Sequence, residues 1–406
     1  MSTTYANSLL TIAAASSSSA TEGFLRRDGG AATCRDEDQV YTDECGVKAR
    51  RVEESGHHWR WYDEAWNRVP QEPWSRRGWT LQEQLLSTRL LSFTPSEVQW
   101  TCRTDVQCEC RSRLNHGRQF GGPSHHLSQL TSSHEAFLFW HKVIENYSNR
   151  LLTKGGDKLP AISGAAEVIA QKTGSDYAAG LWTDFIDQDL LWRRASDDFG
   201  TPRAGYVAPS WSWASIEGEV DYYCFRNGKT PYTRSAVVQV ETKTSSYAPF
   251  GRVKGGQLTI HGPLVPALIL RIAADGWVKA KFGGPTMEFR ADTALEEVSY
   301  TEEDGAPQRT VSRHSPESSA QADEAERAPL QGRWPQGLPC WAVRMGSYAT
   351  KSGPGHRDVE LLVVGRSPTP PHHYVRIGLV TCREEPGDPK IAEMYGAEKT
   401  QAIHII

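Results

Sequence analysis

Long apolar runs are missing from this chain. Its longest apolar stretches, such as residues 264–273, fall far short of the ~20 residues a helix needs to cross a bilayer, which excludes a membrane-spanning helix. Charge of one sign is missing too. The chain sets 45 Lys and Arg against 49 Asp and Glu, a formal net charge of -4. It therefore has no strongly basic face of the kind nucleic-acid binding requires. Cysteine is sparse: eight residues, at 34, 45, 102, 108, 110, 224, 340 and 382, are spread over 406 positions. That is not the dense framework of a small secreted domain, and it predicts mostly reduced thiols in a cytoplasmic protein. The apolar residues 9–15 have no basic region before them and only a serine run after them, which argues against a secretory signal. No G-x-x-x-x-G-K-[ST] loop is present, so no NTPase module of that type is encoded. No fixed-period repeat is present either, which excludes a WD40 or ankyrin array. No cofactor is expected.

Tryptophan, by contrast, is abundant, with 14 residues against 4 methionines. A length of 406 residues can bury a large core and suggests two to three structural units. Residues 1–25 read as a short buried segment around Leu9, Leu10 and Ile12. Residues 26–58, of mixed charge and with Gly29-Gly30, read as a loop with limited order. Five tryptophans follow at 59, 61, 66, 74 and 79, with Pro70 and Pro73 breaking any long helix. Thr80 is placed to cap a helix over 81–88, with Glu83 completing a capping box and Leu81, Leu85 and Leu86 on one face. Strands are expected over 89–93 and 97–102, and a long polar loop over 103–133.

Residues 134–205 read as helical. Phe137, Trp140, His141, Ile144 and Tyr147 keep three-four spacing, Pro160 opens a second helix carrying Ile162, Ala166, Ile169 and Ala170, and 181–191 form a third. From 206 onward short alternating runs, at 236–240, 257–260, 277–282 and 361–364, predict a β-rich region. Residues 301–333, poor in aliphatics, read as a disordered insertion between strands.

Several segments together resemble one family. Tyr5-Ala6-Asn7-Ser8-Leu9-Leu10-Thr11-Ile12, then Glu22-Gly23-Phe24-Leu25, are similar to the segment that closes the central helix of fungal heterokaryon-incompatibility (HET) domains. Arg77-Gly78-Trp79-Thr80-Leu81-Gln82-Glu83, with Leu85-Leu86-Ser87, Arg89 and Phe93, resembles that family's most recognisable downstream block. Val98-Gln99-Trp100-Thr101-Cys102 resembles the strand after it. The likeness continues through Leu151-Leu152-Thr153, Asp157-Lys158-Leu159-Pro160, Tyr177-Ala178-Ala179-Gly180-Leu181-Trp182 and Pro209-Ser210-Trp211-Ser212-Trp213-Ala214-Ser215. It is specific over about 5–215 and loose beyond. The family's opening block, resembling ALSYxWG, and its WIDxLCIDQ block have no counterpart here, so an N-terminally truncated member is expected.

The resemblance implies an α/β fold, a partial HET domain of TIR-like, flavodoxin-like type over 1–110. A loop at 111–133, a helical segment at 134–205 and a β-rich region at 206–406 complete the expected organisation. It also implies a role in fungal nonself recognition linked to programmed cell death, with a protein partner in that signalling; with the opening blocks missing, a protein impaired by truncation, or a non-functional fragment of a HET protein, is the alternative expectation.

Glu83 is the leading candidate for chemistry. As a catalytic acid, base or sugar-binding carboxylate beside Trp79, with Arg77 and Gln82 as binding residues, it would suit a nucleotide-hydrolysing site; as a capping residue it would only organise a helix. Arg76 and Arg77 could grip a phosphate, or form a solvated turn. Cys102, Cys108, Cys110 and His116 invite a zinc reading, but their spacing does not match paired C-x2–4-C knuckles, and no metal is expected. His125-His126 and His372-His373 read as exposed loop histidines. Ser210 lacks a G-x-S-x-G elbow and reads as part of a packed turn. Asp184, Asp187 and Asp189 read as a solvated helical face.

Overall fold

A computed structural model describes residues 2–24, 40–42, 48–50, 72–94, 98–108, 123–195, 205–222, 232–234, 237–301, 307–314, 330–349, 356–368, 372–385 and 400–406. The chain divides into two units, Met1–Lys154 with Ala161–Gly174, and Gly155–Pro160 with Ser175–Ile406. Most of the 26–58 segment, and Trp59, Trp61, Trp66 and Pro70, lie outside the described residues.

The first unit begins with α1 (Ser2–Asn7) and β1 (Thr11–Ala13), and carries an isolated antiparallel pair, β2 (Val40–Thr42) with β3 (Lys48–Arg50). After α2 (Gly78–Leu86) come β4 (Arg89–Phe93), β5 (Val98–Cys102) and β6 (Val106–Cys108). The sheet order is β1-β4-β5-β6; β1 runs parallel to β4, with Thr11 opposite Leu90, and the other pairs are antiparallel. The strand expected at 89–93 is therefore present, and that expected at 97–102 is present over 98–102. The expectation of a buried start is corrected. Leu9, Leu10 and Ile12 are 79%, 40% and 57% exposed, whereas Ala13 and Ala15 are buried. Strand alternation on an edge strand turns Ala13 inward and Ile12 outward.

Helix α2 starts earlier than expected, and not with a side-chain cap. Its N-cap is Arg77 in extended conformation, with no side-chain hydrogen bond. Thr80 is occupied elsewhere, donating to the carbonyls of Trp74 and Arg77 at 2.7 Å each. The helix start is fixed by backbone bridging instead: Gly78 N–H donates to Leu151 O at 2.8 Å and Leu151 N–H to Arg76 O at 2.7 Å. A Cβ on Gly78 would sit 2.5 Å from Leu152 Cδ2, so any larger residue there requires the Leu152 side chain to shift. Leu81, Leu85 and Leu86 are buried, as their spacing predicts.

The capping box belongs to a later helix. Helix α3 (Pro123–Gln129) falls in the stretch read as a loop, where only Leu127 offers a large apolar anchor and periodicity gives no signal. Helix α4 (Ser133–Ser148) then begins at Ser132, whose hydroxyl accepts from Glu135 N–H while Glu135 reaches back to Ser132 N–H. Phe137, Trp140, His141, Ile144 and Tyr147 are all buried. A 3-10 turn, Pro160–Ile162, leads into α5 (Ser163–Thr173), which ends at Gly174 with φ +72°.

In the second unit the helix expected over 181–191 breaks up. Strands β7 (Tyr177–Ala178) and β8 (Leu181–Trp182) form a tight hairpin through Ala179 and Gly180, both at positive φ, and only a 3-10 turn (Thr183–Phe185) and the short α6 (Ile186–Asp189) are helical. Asp189 accepts from Trp182 N–H at 2.6 Å, a local bond that competes with a continuous helix. Strand β9 (Arg193–Arg194) pairs with β10 (Val220–Asp221).

The β-rich region comprises β11 (Tyr232–Arg234), β12 (Val237–Ser245), β13 (Ala248–Ile272), β14 (Trp277–Phe282), β15 (Thr286–Arg290), β16 (Leu295–Thr301), β17 (Pro307–Arg313), β18 (Gly332–Ala349), β19 (Arg357–Arg366), β20 (Tyr374–Glu384) and β21 (Thr400–Ile405). The nine-stranded sheet runs β11-β18-β19-β20-β21-β13-β14-β15, with β12 on β13, and β13 also pairs with β18. That last pairing closes β18-β19-β20-β21-β13 into a ring. Val265, Ala267, Ile269, Leu361, Val363 and Ile377 belong to its apolar core. Strand β19 is buried at every position except its two ends, which explains the unbroken run 361–364. Strand β17, paired with β16, occupies part of the stretch read as a disordered insertion; residues 315–329 lie outside the described residues.

Candidate functional site

Glu83 sits on α2, half-buried, and six positions past the N-cap. It therefore cannot complete a capping box, and the helix-organising reading of this residue is corrected. Its partner is Tyr5. Burial raises the Tyr5 phenol above its ordinary pKa, the charge of Glu83 and a hydrogen bond to it push the same way, and Arg77 opposes them. Trp79 is half-buried one helical turn before Glu83, and so shares its face. Arg76 and Arg77 are exposed. Gln82 points elsewhere: it is buried, and its Oε1 accepts from Gly164 N–H at 2.6 Å, tying α2 to α5. The expected binding set thus divides. Glu83, Trp79 and the Arg77 charge come together, whereas Gln82 serves the core.

Sequence reading missed two residues here, Tyr5 and Arg150. Tyr5 opens the Tyr-Ala-Asn-Ser segment, so a signal for it existed. Arg150 follows α4 with no periodic or motif cue. It is buried, donating through Nε and Nη2 to Asn146 Oδ1 (3.0 and 2.9 Å) and through Nη1 to Thr80 Oγ1 (3.1 Å). No carboxylate lies within ion-pairing reach among the described residues, and burial lowers its pKa to about 9, against the raising influence of Tyr147 and Glu83. A buried guanidinium bonded to neutral groups beneath α2 gives this patch a positive bias next to the one half-buried carboxylate of the helix.

The other candidates separate clearly. Ser210 belongs to a packed turn: its hydroxyl donates to Ile406 O and accepts from Arg376 N–H at 3.1 Å. Ser212 Oγ donates to Ala179 O at 2.6 Å, Trp192 Nε1 to Trp211 O at 3.0 Å, and Trp213 Nε1 to Gly180 O at 3.1 Å. The Pro-Ser-Trp-Ser-Trp-Ala-Ser block is scaffolding. Asp184 is exposed, but Asp187 and Asp189 are buried, so the solvated-face reading is corrected for those two. His125 and His126 lie on α3, not in an open loop, and burial, followed by the charges of His125 and Lys142, lowers the His126 pKa to about 4. His373 is half-buried against Gln257. Cys110 and His116 lie outside the described residues, and Cys102 contacts Thr104 and Asp105. Among the described residues no group of three or more His, Cys, Asp or Glu could hold a metal ion.

The match to known families falls on the same elements. Residues 1–83 match the family model described as Heterokaryon incompatibility protein (HET). Over that stretch the chain is similar to the HET family. The matched segment takes in α1, β1, β2, β3 and the first six residues of α2, and so includes Tyr5, Arg77, Trp79, Gln82 and Glu83. Arg150 lies beyond it. No curated protein and no solved structure matches the chain.

Proposed function

We propose that this chain acts in fungal heterokaryon incompatibility, as a cytoplasmic nonself-recognition protein whose output is programmed cell death and whose partner is another protein. The observation that carries the reading is the HET match over 1–83, ending on the helix where Glu83 meets Tyr5. A TIR-like arrangement is the fold reading we favour for this segment. It is supported by one β-α-β unit, in which β1 and β4 are parallel with α2 lying between them in sequence. The test is inducible expression of the full chain in a filamentous fungus, scored by vital-dye uptake. Dye-positive compartments with the wild type, and their loss with Glu83→Gln at equal protein level, are expected. Healthy hyphae with abundant wild-type protein would overturn the reading.

A second reading, hydrolysis of a nucleotide at Glu83, is favoured by one feature: the carboxylate is half-buried on a phenol rather than spent on a helix cap. Purified chain incubated with adenine nucleotides should then release product, and Glu83→Gln should abolish that release. Intact nucleotides after prolonged incubation with folded wild type would exclude it.

A further inference from the structure

One cation of the second unit has its faces occupied and its edge unused. Arg366, the last residue of β19, has its guanidinium 4.4 Å from the ring centre of Tyr374 and 5.2 Å from those of Tyr300 and Trp341. Trp341 stands close to perpendicular to both tyrosines, at 74° and 76°, so the three rings form walls rather than a stack. Tyr374 lies directly opposite Arg366 in the β19–β20 register, and both tyrosines are buried. These walls are fixed by the sheet and by the β16–β17 hairpin.

Two other arginines of this unit, Arg376 and Arg313, mark the contrast. Arg376 donates to Asp292, Leu190 O and Trp192 O. Arg313 donates to Arg376 O, Ser215, Ser210 O and Asp292. Both are structural, with their donors satisfied by the protein. The Arg366 side chain makes no hydrogen bond and no ion pair among the described residues. Its Nε is buried without an acceptor, and its half-buried side chain leaves the terminal nitrogens open to solvent. Aromatic faces attract and orient a guanidinium but satisfy none of its in-plane N–H donors. An oriented fork of unused donors is the complement of two oxygens on one carboxylate or phosphate.

We propose that Arg366, held in the recess of Tyr300, Trp341 and Tyr374, is a binding site for an oxyanion, a carboxylate or phosphate group carried by a partner molecule. The site lies in the second unit and does not depend on the reading of Glu83.

The test uses the full chain, with inorganic phosphate in one arm and succinate in the other. Binding is followed by calorimetry and by the side-chain N–H resonance of Arg366, assigned from its loss in Arg366→Lys. Saturable binding that shifts this resonance is expected, with the tighter arm identifying phosphate or carboxylate as the group recognised. Arg366→Lys, which keeps the charge but loses the fork, should weaken binding about tenfold. Tyr300→Leu, which removes one wall, should weaken it by a smaller factor. Failure of both anions to shift the wild-type resonance overturns the proposal. Equal binding to wild type and Arg366→Lys also overturns it, and means an adventitious ion only. Should Arg366→Lys fail to fold, calorimetry of phosphate and succinate with the wild type and Tyr300→Leu still decides: no saturable binding to the wild type, or equal binding to both, overturns the proposal.

Discussion

The guanidinium carbon of Arg376 lies 3.4 Å from the centre of the Trp192 ring, and neither side chain is exposed to solvent. Arg376 Nε also donates to Asp292 Oδ2 at 2.9 Å, and the same oxygen receives Arg313 Nη2 at 2.9 Å. One buried carboxylate is therefore shared by two guanidiniums, that of Arg376 fully buried and that of Arg313 nearly so. Burial pushes the pKa of each arginine down, and Asp292 is the main group pulling it back up. Asp292→Asn keeps the shape and removes the counter-charge. It should destabilise the second unit by about 3–5 kcal/mol, the cost of leaving buried charge uncompensated. Arg313→Leu should cost less, because a one-to-one Arg376–Asp292 pair survives. Urea unfolding followed by tryptophan fluorescence checks both, and equal losses would argue against this ordering.

Close packing around the same cluster gives a second prediction. Gly180 has φ +99°, and a Cβ there would sit 2.5 Å from Trp213 Nε1, the atom that donates to Gly180 O. Gly180→Ala combines left-handed strain with overpacking and should cost on the order of 3 kcal/mol. Near-ultraviolet circular dichroism should report the displaced Trp213. An unchanged spectrum and melting temperature would show that the Ala179–Gly180 turn is free to relax.

Helix α4 supplies a pH-dependent case. Glu135 is held below the usual carboxylate range, first by the backbone N–H of Thr131, then by its hydroxyl and the N–H of Ser132. A lowered folded pKa means that the stabilisation is complete at neutral pH and fades as the pH falls through that lowered value. Acidification should thus loosen the start of α4, and Glu135→Gln should flatten that response. Ser132→Ala removes the reciprocal bond and should cost ~1 kcal/mol. Hydrogen exchange of the first-turn amides resolves these local effects, which a global melt of a two-unit chain would blur.

Cysteine reactivity offers a chemical check. Cys340 is buried, which pushes its thiol well above the usual range. Cys102 is half-exposed; burial pushes it up, but hydrogen bonds from Thr104 and Asp105 outweigh that and lower it. Brief iodoacetamide treatment of the native chain should label Cys102 well before Cys340, read by peptide mass spectrometry. Comparable early labelling of both would contradict the burial assigned to β18.

What the sequence disclosed and what it concealed follow from the range of each interaction. Spacing alone located α4, the strand 277–282 and the buried run of β19, because those signals lie within one element. It misplaced the start of α2, because that start is set by Leu151 rather than by Thr80. It read 181–191 as a helix, because the Asp189–Trp182 bond and the Ala179–Gly180 turn leave no periodic trace. The closure of β13 on β18, and the partnership of Arg376 with Asp292 across 84 residues, depend on pairings that no local pattern encodes. At the site, Glu83 and Trp79 were legible as neighbours on a helix, but Tyr5 and Arg150 were brought there by the fold.

The neighbours Gln82 and Glu83 separate structure from function in one comparison. Gln82 is 1% exposed and receives Gly164 N–H, so Gln82→Leu leaves that donor unsatisfied and should cost about 1–3 kcal/mol. Glu83 is half-buried and holds a phenol that can turn to water, so Glu83→Gln should leave the melting temperature nearly unchanged. In the cell-death assay the order should reverse. Glu83→Gln should silence a stable protein, while Gln82→Leu should lower activity only as far as it lowers the amount folded. Melting curves and dye uptake measured on the same two variants decide the matter. Full activity in Glu83→Gln would remove Glu83 from the site and leave α2 as scaffold.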